Sequence, residues 1–194
     1  MSNLPHPQAS EPSEPLFERD AGLLMHVSAL PSDFGIGDFG PDCVRWLDLL
    51  QSAGQTLWQV LPLGPTGYGD SPYQSSSSYA LNCLLLSPQM LHADGLISDE
   101  DLEATRIDPS SEVDYQLVYE RKKAVMQIAV DRFRALPEVS PQRGRYAEFV
   151  EKESWWLKDY ALYSVIKGLQ GDTAWTDWPE MLRDRQADAL ASIA

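Results

Sequence analysis

The feature that most constrains the fold is the order strand, helix, strand near the start of the chain. Residues 22–30 form a short apolar run that Pro31 ends, and residues 56–63 form a second such run. Their length and stop signals are typical of buried strands. Between them, Pro41 suits the first position of a helix, and apolar residues recur at helical spacing up to Gly54. This order predicts a βαβ unit with parallel strands and a right-handed crossover.

The rest of the chain favours helices. Residues 98–101 predict a capping box that opens a short acidic helix. Apolar spacing predicts longer helices over about 117–136 and 146–167, and residues 181–194 are helical in composition with no residue to close the helix. Residues 82–87 are predicted as a short strand. Because two parallel strands form no stable covered layer alone, we expect an open sheet edge, an uncovered apolar face and poor independent stability.

Charge and hydropathy exclude two classes of partner. The 194 residues carry a formal net charge of −14, and residues 94–120 alone hold nine acidic residues and one basic residue. A polyanion would be repelled and no basic patch offsets this, so nucleic acid is excluded as a partner. No apolar run approaches the roughly 20 residues needed to span a bilayer. We therefore expect no membrane partner.

The cysteines and the amino terminus indicate the compartment. Residues 1–19 are rich in proline and lack the apolar core of a signal peptide, which predicts a disordered lead-in. Cys43 and Cys83 are compatible with one disulfide or, as we predict, with two reduced and buried thiols. Metal-ligand spacing is absent from the sequence. These features predict a cytoplasmic protein without a metal or cofactor.

Two glycine-rich segments imitate nucleotide sites. Residues 35–40, GIGDFG, match the dinucleotide fingerprint, but a loop separates them from the strand and Asp38 would repel a pyrophosphate. Residues 64–71 imitate a phosphate-binding loop, but Asp70 stands where the motif needs a lysine. Neither segment therefore predicts a nucleotide site.

The loop after the second strand is the best candidate site. Residues 64–78 combine tyrosines with several hydroxyls and one carboxylate, and ligands of parallel α/β proteins meet such loops. The composition suits a neutral, polyhydroxylated ligand, and equally a rigid loop packed by its own tyrosines. Residues 155–163 carry an aromatic stripe that suits a helix–helix core seam, the interpretation we favour, or a sugar or base platform. His26 is compatible with a core, a positioning or a ligand role.

Several segments together resemble the 4-α-glucanotransferases of glycoside hydrolase family 77, the amylomaltases or disproportionating enzymes. The most specific is residues 58–75, WQVLPLGPTGYGDSPYQS. The others are residues 24–31, LMHVSALP; 34–40, FGIGDFG; 113–115, VDY; and 153–162, ESWWLKDYAL. The resemblance covers about residues 20–190 and leaves residues 1–19 outside it.

The resemblance implies a (β/α)8 barrel with helical insertions, of which this chain holds the first two strands. Residues 20–90 are then the first βα units with the substrate loop at 64–78, and residues 91–194 are a mostly helical insertion, truncated at its end. The implied activity is transfer of an α-1,4-glucan segment to the 4-position of an acceptor sugar by retaining double displacement, which needs two carboxylates about 5–5.5 Å apart. The implied partners are α-1,4-glucans and maltooligosaccharides.

Site residues carry over from the family one by one. Tyr73 and Ser71 match ligands of the donor sugar, and Tyr68 matches a tyrosine of a secondary glucan site. The family's catalytic carboxylates come from later strands and none maps here, while Asp70 has no catalytic role in the family and is expected to shape the loop. Residues 76–78 are serines where the family often has an aromatic residue. A non-catalytic α/β module that binds glucan or protein is the alternative function.

Overall fold

The computed structural model describes residues 20–67, 69–108, 110 and 112–193. Strand β1, Gly22–Leu24, pairs in parallel with β2, Leu57–Gln59, with Gly22 opposite Leu57. Helix α1, Pro41–Ser52, lies between the two strands in the chain. Parallel strands need such a connection because the chain must return to the same end of the sheet. The predicted strand, helix, strand unit is confirmed.

Both strands are shorter and more exposed than the sequence predicts. Leu23, Leu24 and Leu57 are 47%, 60% and 55% exposed, so the prediction of buried strands is wrong here. The first apolar run leaves β1 and continues as a 3-10 helix, Val27–Ala29, in which Val27 is fully buried. β1 and β2 form the whole sheet among the described residues. They therefore leave the open edge and uncovered apolar face expected of two parallel strands.

Helices and loops make up most of the remaining described chain. The α-helices are α2, Pro88–Ala93; α3, Asp99–Thr105; α4, Tyr115–Ala135; α5, Pro141–Lys152; α6, Ser154–Leu169; α7, Glu180–Arg183; and α8, Ala187–Ala191. Two more 3-10 helices span Cys83–Leu85 and Trp175–Asp177. None of the helices described is long and apolar enough to cross a membrane.

The short strand predicted over residues 82–87 is wrong. The Asn82 side chain accepts a hydrogen bond from the backbone N–H of Leu84 at 2.9 Å, which begins a 3-10 turn. Such a side-chain bond offers the backbone an alternative to a sheet ladder.

The helices α3 and α4 form where the sequence predicts them. The capping box of α3 is confirmed: the Ser98 hydroxyl accepts from the Asp101 N–H at 3.2 Å, and the Asp101 carboxylate accepts from the Ser98 N–H at 2.8 Å. Helix α4 buries Val118 and Val125 at helical spacing. Arg132 of α4 lies 2.6 Å from the Asp101 carboxylate, which joins the two helices.

The last predicted helices are interrupted. Instead of one helix over 146–167, the chain forms α5 and α6 with a break at Glu153, whose φ and ψ are −96° and 10°. The Glu153 carboxylate accepts a hydrogen bond from Trp156 Nε1 at 2.7 Å, which stabilises the break. Gly168 lies inside α6 and does not end it. The terminal helical stretch is likewise divided into α7 and α8, with a positive φ of 56° at Arg185.

A buried ion pair joins residues 35–40 to α4. Lys122 Nζ lies 3.1 Å from Asp38 Oδ2, and it also donates to the backbone oxygens of Leu84 at 2.7 Å and Leu86 at 3.2 Å. Lys122 is 1% exposed and Asp38 is 7% exposed. Desolvation lowers the pKa of Lys122, and the Asp38 charge opposes that shift. Asp38 is therefore part of the core.

The glycines of the GIGDFG segment allow close packing. Gly35 has a φ of 85°, in the left-handed region, and a Cβ there would overlap the Val118 side chain. Gly37 lies directly against the Val27 backbone oxygen, where a Cβ would not fit. Both positions therefore require glycine for backbone geometry, which agrees with the exclusion of a dinucleotide site.

The two cysteines are free thiols. Cys43 is buried in α1, where desolvation raises the pKa of its thiol. Cys83 is exposed. The prediction of two reduced thiols is confirmed, whereas the predicted burial of Cys83 is wrong because its segment turns as a 3-10 helix at the surface.

Candidate functional site

The loop over residues 64–78 starts and ends at one place, beyond the carboxyl end of β2. The Leu63 backbone oxygen accepts a hydrogen bond from the Asn82 N–H at 2.7 Å, which joins the two sides of the loop. Thr66 and Ser75 form an antiparallel bridge inside it. The loop is thus a closed structure at the end of the sheet where α/β proteins bind ligands.

Serine hydroxyls of the loop hold its backbone. The Ser75 hydroxyl donates to the Ser77 backbone oxygen at 2.8 Å. The Ser77 hydroxyl accepts from the N–H groups of Tyr79 at 3.1 Å and Ala80 at 3.0 Å. These bonds support the interpretation of a rigid loop, and a rigid loop can also present its aromatic side chains in fixed positions.

Two of the three predicted sugar-binding residues share one turn. The Ser71 hydroxyl accepts a hydrogen bond from the Tyr73 N–H at 3.4 Å, and the Ser71 backbone oxygen accepts from the Gln74 N–H at 3.1 Å. The Tyr73 side chain projects from this turn, because the residue is 73% exposed. Tyr68, the third predicted residue, lies outside the described residues.

Asp70 lies at a left-handed bend of the loop. Gly69 and Asp70 have φ angles of 80° and 52°, and Asp is one of the few residues besides Gly that tolerates this region. The Asp70 N–H donates to the Gly67 backbone oxygen at 3.2 Å. This geometry agrees with the expected role of Asp70 in shaping the loop.

A cleft of 710 Å³ lies beside the loop, and we call it the loop cleft. Its walls are residues 60–64 and 77–81, with Pro72, Tyr73 and Ser75 from the loop itself. The walls combine apolar side chains with serine hydroxyls and tyrosine rings.

A smaller cavity of 220 Å³ lies on the inner side of the loop, and we call it the inner cavity. Its polar lining comes from the loop and from other segments: Thr66, Asp70, His26, Ser28, Asn82 and Tyr115. No motif or residue spacing in the sequence predicts that Asn82 and Tyr115 lie beside the loop. The only signal for Tyr115 is its place in the short family-like segment at 113–115.

His26 lines the inner cavity, and one of its ring nitrogens is buried without a hydrogen-bond partner in the described part of the chain. This nitrogen is Nδ1. Burial lowers the pKa of the imidazole from its ordinary 6.5. The neutral ring therefore predominates at neutral pH.

The lowered pKa of His26 predicts a pH-dependent stability. In the unfolded chain His26 binds a proton near pH 6.5, whereas in the folded chain it binds one only at lower pH. The contribution of neutral His26 to the free energy of unfolding is therefore fully present above pH 6.5 and is lost as the pH falls towards the lowered pKa. We expect the urea midpoint to fall between pH 7 and pH 5 less steeply in His26→Asn than in wild type. Equal slopes in the two proteins would contradict this prediction.

The aromatic stripe of α6 faces the loop. Tyr79 lies edge-on to Trp155 with ring centres 4.6 Å apart, and its ring centre is 6.0 Å from that of Trp156. Further along α6, the Tyr163 ring lies 5.5 Å from the Trp178 ring. Within the described chain the ring partners outside α6 are Tyr79, which follows the loop, and Trp178, which follows a 3-10 helix. Since neither partner lies in a helix, the favoured interpretation of a helix–helix core seam is wrong for these ring contacts.

The chemistry of the site suits a neutral polyhydroxylated ligand, and its described lining does not supply a pair of catalytic carboxylates. Asp70 is the one carboxylate among the described residues that line the loop cleft and the inner cavity, whereas retaining transfer between sugars needs two. No three His, Cys, Asp or Glu side chains are grouped for a metal ion in the described ranges.

Comparisons with known proteins agree on one family. The family profile described as 4-alpha-glucanotransferase matches residues 25–194. The chain is 41% identical over 177 residues to the 4-alpha-glucanotransferase of Aquifex aeolicus. This alignment covers 90% of this chain and 34% of the relative. It is 43% identical over 174 residues to the 4-alpha-glucanotransferase of Thermus thermophilus, in an alignment that covers 89% of this chain and 33% of that relative.

A solved structure agrees with this result. The fold matches amylomaltase from Streptococcus agalactiae in complex with acarbose, with a TM-score of 0.82 and 35% identity, over 91% of this chain and 35% of that chain. The chain thus spans about a third of the length of the relatives that it matches.

Proposed function

Because the chain belongs to the 4-alpha-glucanotransferase family, glycoside hydrolase family 77, we propose that its protein transfers α-1,4-glucan segments to the 4-position of acceptor sugars. The mechanism is a retaining double displacement, in which one carboxylate forms a glycosyl-enzyme and another acts as acid and then as base. Exclusion of water from that intermediate favours transfer over hydrolysis. The substrates are α-1,4-glucans and maltooligosaccharides.

The observation that carries this proposal is the position of Tyr73. The residue projects from a closed loop beyond the carboxyl end of β2, 73% exposed and beside the 710 Å³ loop cleft. Its ring can pack against the CH face of a sugar while neighbouring hydroxyls exchange hydrogen bonds with it. Tyr73 and Ser71 contact the donor sugar near the cleaved bond, and Tyr68 belongs to a secondary glucan site.

In this proposal residues 20–90 supply the first two strands of a (β/α)8 barrel, and residues 91–194 form a mostly helical insertion. The parallel pairing of β1 and β2 around α1 supports this assignment. The exposed leucines of the strands also support it, since strands and helices of a whole barrel would cover such side chains. The free thiols support a reducing compartment, the cytoplasm.

The chemistry itself requires residues other than those of this chain. In this proposal Asp70 shapes the loop, and the family resemblance implies that the catalytic carboxylates lie on later strands of the barrel. This chain then contributes donor-sugar contacts and loop geometry, and it does not cleave the glucan by itself.

Incubation with maltotriose tests the proposal. We expect the protein expressed from its complete reading frame to release glucose and to form longer maltooligosaccharides, because each transfer lengthens one chain and shortens another. The 194-residue chain alone is expected to produce neither, because it lacks the carboxylate pair. Chromatography of the products measures both reactions.

Two other results would contradict the proposal. Vigorous disproportionation by the 194-residue chain would show that the chemistry lies in these residues. Binding of maltotriose without transfer by the protein from the complete reading frame would favour the alternative function, a non-catalytic glucan-binding module. The clefts beside the loop and the single carboxylate in their described walls are the features that favour that alternative.

A further inference from the structure

A third cleft separates the loop from α6, and we call it the aromatic cleft. It has a volume of 300 Å³ and is lined by Ser76, Ser77, Ser78, Tyr79, Trp156, Tyr160 and Tyr163. Three of these residues, Ser77, Ser78 and Tyr79, also line the loop cleft. The two clefts therefore adjoin each other at one short stretch of chain.

The aromatic wall of this cleft is ordered by ring contacts. The rings of Trp156 and Tyr160 are 6.1 Å apart, and that of Tyr79 lies 6.0 Å from Trp156. The hydrogen bond from Trp156 Nε1 to Glu153 fixes the indole at the start of α6. The wall is thus held in place before any ligand arrives, which lowers the entropic cost of binding.

The serine wall is held in the same way. The Ser77 hydroxyl accepts two backbone N–H groups, which fixes the course of the chain between the two clefts. Ser76 and Ser78 on either side are exposed. The described lining is uncharged, so its chemistry suits a neutral ligand with an apolar face and a rim of hydroxyls.

We propose that the aromatic cleft is a further glucan subsite, in which one pyranose ring lies against Trp156 and Tyr160 with its hydroxyls towards Ser76 and Ser78. A glucan held at Tyr73 in the loop cleft crosses the chain at Tyr79 and continues into this subsite. The inference rests on the proposed function, because it assumes an α-1,4-glucan in the loop cleft. It predicts that long oligosaccharides gain contacts that short ones do not reach.

The test compares maltoheptaose with maltotriose as donors, using the protein from the complete reading frame. Ser76→Phe fills the cleft from an exposed position, and Tyr160→Ala removes part of its aromatic wall. We expect each variant to lower the ratio of kcat/KM for maltoheptaose to that for maltotriose by about tenfold. Trp175→Ala is the matched control, since Trp175 is 54% exposed and belongs to another cleft; its ratio should equal that of wild type.

The outcomes separate this inference from the proposed function. A wild-type ratio in Ser76→Phe, with an unchanged Tm, would overturn the subsite while leaving the transfer activity established. If the wild-type protein transfers neither donor, the proposed function fails. In that case calorimetric titration with maltoheptaose measures binding affinity, which replaces the kcat/KM ratio as the test of the subsite. Affinity reduced by about tenfold in Ser76→Phe supports the subsite, and affinity equal to wild type overturns it.

Discussion

Replacement of Tyr73 by alanine is expected to reduce kcat/KM for maltotriose transfer by about 100-fold in the protein from the complete reading frame. Tyr73 is 73% exposed beside the loop cleft, so loss of its ring removes the proposed sugar contact and leaves the core intact. Stability should change by no more than about 0.5 kcal/mol, as for most surface substitutions. Initial rates and thermal unfolding measure the two effects.

Two matched variants test whether the ring of Tyr73 and its position beside the loop account for the expected loss. Tyr73→Phe keeps the ring, so it should recover most of the activity if stacking on the sugar dominates. Tyr146→Ala removes a tyrosine of similar chemistry that is 56% exposed and lies away from the loop, so its rate should equal that of wild type. Unchanged kinetics in Tyr73→Ala would remove Tyr73 from the site.

Replacement of Lys122 by methionine is expected to destabilise the protein by about 3–5 kcal/mol. The ammonium is the ion-pair partner of a carboxylate that is 7% exposed, and the substitution leaves Asp38 charged and buried without that partner. The backbone oxygens of Leu84 and Leu86 lose a donor as well. Urea unfolding followed by tryptophan fluorescence measures the loss.

The stability of a double variant distinguishes the loss of the ion pair from the loss of side-chain packing. Asp38→Asn combined with Lys122→Met removes both charges, so it should be more stable than Lys122→Met alone. Lys123→Met changes the exposed neighbour on α4 and should cost no more than about 0.5 kcal/mol. If Lys122→Met costs as little as Lys123→Met, the ion pair does not stabilise the fold.

Features that depend on local chemistry could be predicted from the sequence. Pro41 starts α1, and the Ser98 and Asp101 pair starts α3, because each acts on its own backbone. The loop at 64–78 could be identified as the candidate site from its composition and its place after β2. Tyr73 and Ser71 share a turn because they are two residues apart.

Features that depend on distant partners could not be predicted. The Asp38 carboxylate finds Lys122 in α4, and no pattern near either residue indicates the other. Tyr115 reaches the inner cavity for the same reason. The break at Glu153 is a local exception, because its carboxylate accepts a bond from Trp156 only three residues later and apolar periodicity does not detect such a bond. The exposed strands reflect the absence of covering elements in the described chain, which apolar composition alone does not report.

The Asp38 and Lys122 pair also constrains the order in which the chain folds during synthesis. Its two members are 84 residues apart, and Lys122 also holds Leu84, which lines the inner cavity behind the loop. At typical translation rates Lys122 is made on the order of ten seconds after Asp38. During that interval the ribosome-bound chain carries Asp38 without its partner. The wall of the inner cavity is therefore completed only after α4 has been synthesised.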